Sequence, residues 1–212
     1  MGHMVESVLQ KRGIPVAAVT EDVQGVPADV AAQSVCIDFT TPDAFRANYG
    51  FIAKAFKAAV VGTTGWADIR EDVVAAFEQA GTPMIYASNF SVGVNAVFAA
   101  VERLGAILKD QGYEPSIEEI HHIHKLDAPS GTAKSLGAIV EKTLGTVPSI
   151  DSIREGEVPG THTVTFRSGA DEIRLTHEAF SREGFAQGAV MAATLVEGTT
   201  GVHEFKDLLL GK

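Results

Sequence analysis

Short apolar segments alternate with helical patterns along the first half of the chain. Between these segments, apolar side chains recur every three or four residues, as at Phe45, Tyr49 and Ile52, and therefore share one face of a helix. Because two parallel strands must be joined by a long crossover, usually a helix, this alternation predicts a parallel sheet covered by helices. The strand-like segments are residues 15–19, 34–40, 58–61 and 83–87.

The pattern changes at a long helix that begins near Val94. After it, residues 161–168 and 171–178 alternate apolar with polar side chains, which is typical of a half-buried sheet. The sequence therefore predicts a second, α+β unit. Its other expected elements are strands near 115–122 and 150–154 and a helix near 132–144, and helical patterns return at 185–196 and 203–210.

The composition excludes several classes of protein. The 212 residues carry a net charge of −10 without any run of Lys and Arg, so neither a nucleic acid nor an anionic membrane is an expected partner. No apolar run reaches the roughly 18 residues that a transmembrane helix needs. Cys36 is the only cysteine and lies in an apolar segment, so we expect a buried thiol, no disulfide and a cytoplasmic location.

The first residues already have a helical pattern, in which Met4, Val5 and Val8 share one face. A nucleotide-binding parallel sheet normally begins with a strand and a glycine-rich turn before such a helix. We therefore expect the first strand of the sheet to be missing from this sequence. No G-x-G-x-x-G motif occurs either, so the sequence itself carries no dinucleotide fingerprint.

The densest group of chemically active side chains is HHIHKLDAPSGTA, residues 121–133. Pro129 and Gly131 favour a turn, and Ser130 or Thr132 can cap the helix that follows. The backbone N–H groups of Gly131 and Thr132 would then face outward at a helix N-terminus, where carboxylates and phosphates bind.

The basic side chains of this segment suit an anionic ligand. If the strand extends to Lys125, His121 and Lys125 share one of its faces, and such a pair fits general-acid catalysis on a bound anion. His122 and His124 would share the other face, and Arg154 either adds a cation or lies on the solvated surface. Two other interpretations stay open: surface histidines before an ordinary capped helix, or a metal site built from His122 and His124.

Small polar residues follow three of the apolar segments, as FTTP at 39–42, GTTG at 62–65 and ASNFS at 87–91. Because the carboxyl ends of parallel strands meet at one edge of a sheet, three such ends together favour a ligand crevice over plain connecting turns.

EEIHHIHKLDAPSGTA closely resembles the signature of the 4-hydroxy-tetrahydrodipicolinate reductases, also called dihydrodipicolinate reductases. IDFTTP at 37–42, VVGTTG at 60–65, ASNFSVGVN at 87–95, REGEVPGTH at 154–162 and LTHEAFSR at 175–182 also resemble segments of this family, in the same order. The resemblance implies an enzyme of diaminopimelate and lysine synthesis. Its reaction would be the reduction, with NADH or NADPH, of a cyclic conjugated imine that carries two carboxylates.

The same resemblance implies a Rossmann-like dinucleotide-binding domain at 1–90 and 183–212. Residues 91–182 would form an α+β domain with a mixed sheet, which binds the substrate and builds a homotetramer. The glycine-rich phosphate loop of the family would end at Met1 and Gly2, without its earlier glycines. An alternative is therefore a protein of the same fold that is inactive or binds the cofactor weakly.

The resemblance also assigns roles to residues. His121 would be the proton donor and acceptor and Lys125 a second proton donor, while His122, Gly131 and Thr132 would bind the substrate; no metal is implied.

For the cofactor, the resemblance implies loops at three strand ends. Glu21 falls near the position of the ribose-binding acid, which slightly favours NADH over NADPH because no Arg follows to bind a 2′-phosphate. The other cofactor-binding residues would be Phe39, Thr40, Gly62, Thr63, Thr64, Ala87, Ser88, Asn89 and Phe90.

Overall fold

The computed structural model describes residues 1–211 and divides into two units. The first unit comprises Met1–Ser91 and the described residues from Phe185 onward, and the second comprises Val92–Gly184. The assignment of cofactor binding to 1–90 with 183–212, and of substrate binding to 91–182, stays a prediction.

The first unit contains a four-stranded parallel sheet in the order β1-β2-β3-β8. Every residue of its second strand, AAVV, is buried. A continuous apolar run of this kind is what a parallel strand covered on both faces requires. The strands are β1 (Val35–Asp38), β2 (Ala58–Val61), β3 (Met84–Tyr86) and β8 (Val202–Glu204).

Helices cover both faces of this sheet, because successive strand residues point to opposite sides. Val60 and Ile85 pack with the first helix and the two C-terminal helices. Val61 and Met84 pack with the two helices that follow β1 and β2. The helices are α1 (Gly2–Lys11), the short α2 (Ala28–Ala31), α3 (Pro42–Ala55), α4 (Arg70–Ala80), α7 (Glu183–Val196) and α8 (Phe205–Leu209).

Local sequence signals explain where α3 and α4 begin and end. The hydroxyl of Thr41 accepts a hydrogen bond from the N–H of Ala44, and Pro42 occupies the first turn of α3, where its missing N–H is tolerated. Gly81 ends α4 with φ of 69°, a left-handed conformation that glycine adopts without steric strain.

The second unit contains a mixed sheet in the order β5-β4-β6-β7, in which only the β4–β5 pair is parallel. Its two helices cover one face, where Phe98, Ile117 and Phe166 belong to a single apolar core. The elements are α5 (Val92–Leu108), β4 (Glu114–His121), α6 (Gly131–Leu144), β5 (Ser149–Arg154), β6 (Thr161–Arg167) and β7 (Glu172–Glu178).

The predicted fold class is confirmed, with a Rossmann-like parallel sheet and a second unit built on a mixed sheet. Two expectations about individual elements are wrong. Residues 15–19 form no strand and are exposed, because β1 lies at the end of the strand order and pairs only with β2. The helical pattern at 203–210 begins two residues too early, because Val202–Glu204 pairs with Met84–Tyr86 as β8. No helix within residues 1–211 is long and apolar enough to span a membrane.

Candidate active site

Strand β4 ends at His121, and the chain then turns. The N–H of His122 donates to the carbonyl of Val158 at 2.8 Å, and that of Ile123 donates to Gly156 at 3.1 Å. The strand expected near 115–122 is therefore present, but the possible extension to Lys125 is not, because the backbone beyond His121 pairs with the loop after β5. His122 and His124 do not share a strand face, although their ring centroids lie 5.9 Å apart.

Arg154 holds the turn that follows β4. Its guanidinium donates to the carbonyl of Asp127 at 2.6 Å and to that of Lys125 at 3.3 Å. It also donates to Glu119 Oε1 at 3.1 Å. Arg154 is thus neither an open cation for a ligand nor a solvated surface residue: it joins the end of β5 to the turn and to β4.

The side chain of Lys125 lies within this turn. Its ammonium donates to Asp127 Oδ1 at 2.7 Å, and this hydrogen bond holds the pKa of Asp127 below its usual value. Lys125, which the resemblance assigned as a second proton donor, therefore has its ammonium close to the carboxylate of Asp127 in the same turn.

Helix α6 begins beside this turn. Ser130 is its N-cap, and its hydroxyl accepts a hydrogen bond from the N–H of Ala133 at 3.2 Å. Gly131 is exposed and Thr132 is half-buried in the first turn. A helix N-terminus carries partial positive charge and favours a bound anion there. The expected order of turn, cap and helix is present, with Ser130 rather than Thr132 as the cap.

A buried carboxylate and two buried imidazoles lie behind the cap. Glu119 Oε2 is 3.0 Å from His121 Nδ1 and 3.9 Å from His162 Nε2. The Ser130 hydroxyl lies 3.1 Å from the same His162 nitrogen. Because Ser130 Oγ accepts from Ala133, its own proton is available to donate to His162.

The pKa values of this cluster are strongly perturbed. Burial raises the pKa of Glu119, but hydrogen bonds, above all those from Ser130, outweigh this effect and lower the pKa to about 2. Burial lowers the pKa of His162 to about 4. Burial also lowers the pKa of His121, an effect that the Glu119 charge opposes and Lys125 reinforces. At neutral pH the cluster therefore combines a carboxylate with a neutral His162.

Donor atoms of Glu119, His121 and His162 lie within 4.8 Å of one another, close enough for a metal ion. However, Glu119 Oε1 already accepts from Ser130 N and from the Arg154 cation, which disfavours a second cation beside it. This group is not the pair His122 and His124 that the sequence suggested as a metal site. The side chain of His124 is 66% exposed and pairs with Glu157.

In the first unit, a buried aspartate joins two of the loops predicted to bind the cofactor. Asp38, at the end of β1, accepts hydrogen bonds from the Thr63 hydroxyl and, at 3.0 Å, from that of Thr40. Thr63 Oγ1 in turn accepts from the N–H of Thr40 at 2.8 Å. This network fixes the loops after β1 and β2, while Thr64 remains exposed.

The loop after β3 is shaped by close packing. The Asn89 side chain accepts from the N–H of Ser91 at 2.8 Å, which forms a tight turn. The rings of Phe39 and Phe90 meet edge to face with centroids 6.0 Å apart, and a Cβ on Gly62 would overlap the Phe39 ring. Both phenyl rings thus pack inward, so a ligand at these loops would meet backbone atoms and the small side chains.

The structure places the predicted residues in two groups. Those predicted for catalysis and substrate binding lie at the end of β4, in the next turn and at the start of α6. Those predicted for the cofactor lie just beyond β1, β2 and β3, except Glu21, which is exposed in the loop after α1. Sequence reasoning missed Glu119 and Asp38. The signal for Asp38 was an acid at the end of an apolar strand, whereas Glu119 lies among other polar residues in β4 and had no such signal.

A parallel sheet with polar loops beyond its strands and a second unit built on a mixed sheet form a two-part α/β protein, an architecture that dinucleotide-dependent oxidoreductases use. Family models described as "Dihydrodipicolinate reductase, N-terminus" and "Dihydrodipicolinate reductase, C-terminus" match residues 2–90 and 93–209. The chain therefore belongs to the dihydrodipicolinate reductase family, a family of pyridine-nucleotide-dependent reductases, and the predicted resemblance is confirmed.

Individual relatives cover most of the chain. It is 37% identical to a 4-hydroxy-tetrahydrodipicolinate reductase of Christiangramia forsetii, over 99% of this chain and 93% of that protein. It is 40% identical to the reductase of the same name in Methanopyrus kandleri, over 84% of this chain and 71% of that protein. The structure of dipicolinate-bound dihydrodipicolinate reductase from Paenisporosarcina sp. TG-14 shares the fold, with a TM-score of 0.77, 19% identity, and coverage of 94% and 84% of the two chains.

Proposed function

We propose that this chain reduces 4-hydroxy-tetrahydrodipicolinate to tetrahydrodipicolinate with NADH or NADPH, in the diaminopimelate route to lysine. The observation that carries this proposal is the arrangement at the end of β4. A buried imidazole, an ammonium and a helix N-terminus follow one another within residues 121–132, in a chain whose family has this activity in its name. The net charge of −10 makes such a local concentration of positive charge necessary for a dianionic substrate.

The residues of the second unit would bind and orient the substrate. The N–H groups of Gly131 and Thr132, at the start of α6, would receive one carboxylate. His122 would contact the same ligand. The relative from Paenisporosarcina was solved with dipicolinate bound, and this planar dicarboxylate would be a suitable probe of dianion binding here.

Proton transfer would fall to His121 and Lys125. When bound, the nicotinamide supplies a hydride for C4 of the conjugated imine, after the 4-hydroxyl has left as water. The ring then needs a proton, and both side chains belong to the types that deliver one in general-acid catalysis. The positive charge of Lys125 beside the buried His121 supports this proposal, because it would attract an anionic ligand.

Replacement of each proposed acid tests this mechanism. We expect His121→Ala and Lys125→Ala to lower kcat by about 100-fold or more, since a positioned acid contributes on that order. The matched control is His124→Ala, whose exposed ring pairs with Glu157, and this variant should retain kcat. Full activity of both proposed acid variants would refute the roles, and loss of activity only in His124→Ala, with a stoichiometric metal, would favour the metal-site alternative.

The proposed cofactor residues fit a dinucleotide at the carboxyl edge of the parallel sheet. Gly62 leaves room for the inward-packed Phe39 ring, and Thr64 and Ser88 are exposed there. We propose a slight preference for NADH, on the basis of Glu21. Calorimetric titration with both nucleotides tests this preference. The Glu21→Gln variant should narrow the difference in Kd between NADH and NADPH. Glu71→Gln, on α4, is the control. No binding of either nucleotide would favour the inactive or weakly binding alternative.

A homotetramer is also proposed. The face of the mixed sheet opposite its helices presents polar side chains, among them Thr163, Thr165 and Arg174, so it would form a hydrogen-bonded rather than an apolar interface. Light scattering of the purified protein measures the mass of the assembly, which can be compared with the monomer mass of 22.4 kDa.

The cytoplasmic location stays a prediction.

A further inference from the structure

We propose that Glu119 is a positioning residue for the reaction: its two oxygens orient His121 on one side and the turn that carries Lys125 on the other. This inference rests on the proposed function, because it concerns how His121 and Lys125 are held for proton transfer. Glu119 itself would touch neither substrate nor cofactor.

The burial of Glu119 is the first observation. Its relative exposure is 0%, and it lies on the same face of β4 as Ile117, two residues earlier, which belongs to the apolar core. Burying a carboxylate is unfavourable unless it is paired and hydrogen-bonded, and an apolar residue at such a position is often at least as stable. A charge retained there therefore indicates a role besides packing.

The first oxygen controls the turn. Oε1 accepts from the N–H of Ser130 at 3.0 Å and from Arg154 Nη2 at 3.1 Å. Arg154 also donates to the carbonyls of Lys125 and Asp127, so it links Glu119 to the backbone of the turn. One carboxylate oxygen thus ties the backbone of Lys125 and the N-cap of α6 to the same point on β4.

The second oxygen controls the imidazole. Oε2 lies 3.0 Å from His121 Nδ1, close enough for an ion pair, although the two atoms are not aligned as a hydrogen bond. The nearby negative charge favours a proton on Nδ1, which would leave Nε2 for the ligand. The charged groups around His121 are Glu119, Lys125, Arg154 and Asp127, with His162 at a ring-centroid distance of 5.0 Å. The two cations make protonation of His121 harder, and Glu119, the carboxylate nearest to its ring, makes it easier.

The decisive variant is Glu119→Gln. Glutamine has the same shape and keeps an oxygen for Ser130 N, but it removes the negative charge beside His121. We expect kcat to fall about tenfold or more while the KM for the substrate changes less than about threefold. We also expect the NMR titration midpoint of His121 to move to lower pH, because a favourable negative charge is lost. The split between kcat and KM separates this role from a merely structural one, which would leave the kcat of the folded enzyme unchanged.

The chain supplies a matched control in Glu157→Gln. Glu157 also lies 3.0 Å from a histidine nitrogen, that of His124, but both side chains are largely exposed at 79% and 66%. This variant makes the same change of charge and should leave kcat and the His121 titration as in the wild type. An equal loss in both variants would contradict the proposal, because it would reflect the change of net charge alone.

A measurement on the wild-type protein keeps the proposal testable if Glu119→Gln does not fold. In protein labelled with ¹⁵N-histidine, neutral His121 should carry its proton on Nδ1, assigned by the signal that disappears in His121→Gln. The opposite tautomer would overturn the proposal.

Failure of the inference is distinguishable from failure of the proposed function. If the wild type reduces the substrate and His121→Ala does not, but Glu119→Gln keeps kcat and the His121 midpoint, only the role of Glu119 is wrong. If the wild type has no reductase activity, the proposed function fails, and the tautomer and titration still report whether Glu119 orients His121.

Discussion

The ammonium of Lys125 donates a 2.7 Å hydrogen bond to Oδ1 of Asp127, two residues further along the same turn. The Lys125 side chain is 23% exposed and that of Asp127 is 52% exposed, so the pair faces solvent on one side. Under the proposed function, a carboxylate of the substrate would compete with Asp127 for the same ammonium.

Removal of this internal competitor should tighten the binding of a dianion. We expect Asp127→Asn to lower the Kd for dipicolinate about two- to fivefold, the range that a partly exposed ion pair supports. The gain should shrink at high salt, because salt screens such charges. Calorimetric titration of both proteins measures it. Asp29→Asn, on α2 of the first unit, is the control for net charge. Weaker binding of dipicolinate by Asp127→Asn would contradict this prediction, because it would show that the Lys125–Asp127 pair favours ligand binding.

The sequence predicted the sheet of the first unit well because strands such as 58–61 are buried on both faces and therefore consist of apolar residues alone. Strand β8 could not be predicted in the same way, since three residues, Val202–Glu204, are too short for any periodicity. Residues 15–19 show the reverse error: apolar residues favour a strand, but a strand also needs a partner, which depends on contacts distant in sequence.

The candidate site was predicted as far as its residues are contiguous in sequence. Turn, cap and helix at 127–131 follow from local chemistry. The role of Glu119 does not, because an acid within a strand is usually solvated, and the groups that make its burial tolerable, Ser130 N–H and Arg154, lie outside its strand. The true course of the chain after His121 likewise depends on the loop at 156–158.

A side chain at Gly160 should disturb His121. A Cβ built on Gly160 would lie 3.0 Å from His121 Nε2, so the imidazole would have to move by a few tenths of an ångström. We expect Gly160→Ala to lower kcat about tenfold, because proton transfer is sensitive to small displacements, and to leave NADH binding unchanged. Gly112→Ala is the control: it shares the positive φ, and open space surrounds it. Steady-state kinetics and cofactor titration of both variants check this, and equal kcat values would contradict it.

A side chain at Gly188 should disturb the loop after β3. A Cβ at this position of α7 would overlap the carbonyl oxygen of Phe90, a backbone atom that cannot rotate away. We expect Gly188→Ala to destabilise the protein by about 1–3 kcal/mol and to weaken cofactor binding, since residues 87–90 must shift. Gly198→Ala, which would make only an ordinary contact with Leu195, should do neither. Thermal unfolding with and without NADH measures both effects, and unchanged cofactor binding in Gly188→Ala would remove this loop from the proposed site.

Acid should destabilise the fold through His162. Burial lowers the pKa of this imidazole from 6.5 to about 4. Below pH 6.5 the unfolded chain therefore binds a proton that the folded protein does not, and stability is lost as pH falls from 6.5 toward 4. His162→Gln keeps a polar partner for Ser130 but cannot titrate. Over this interval, its free energy of unfolding should therefore fall by roughly 3 kcal/mol less than that of the wild type.

Burial shifts the pKa values of His121 and His177 in the same direction, so only the difference between wild type and variant isolates His162. Urea unfolding of both proteins across the interval gives this difference, with His3→Gln, at a largely exposed ring, as the control. Parallel stability curves for wild type and His162→Gln would mean that His162 is not held neutral by its surroundings.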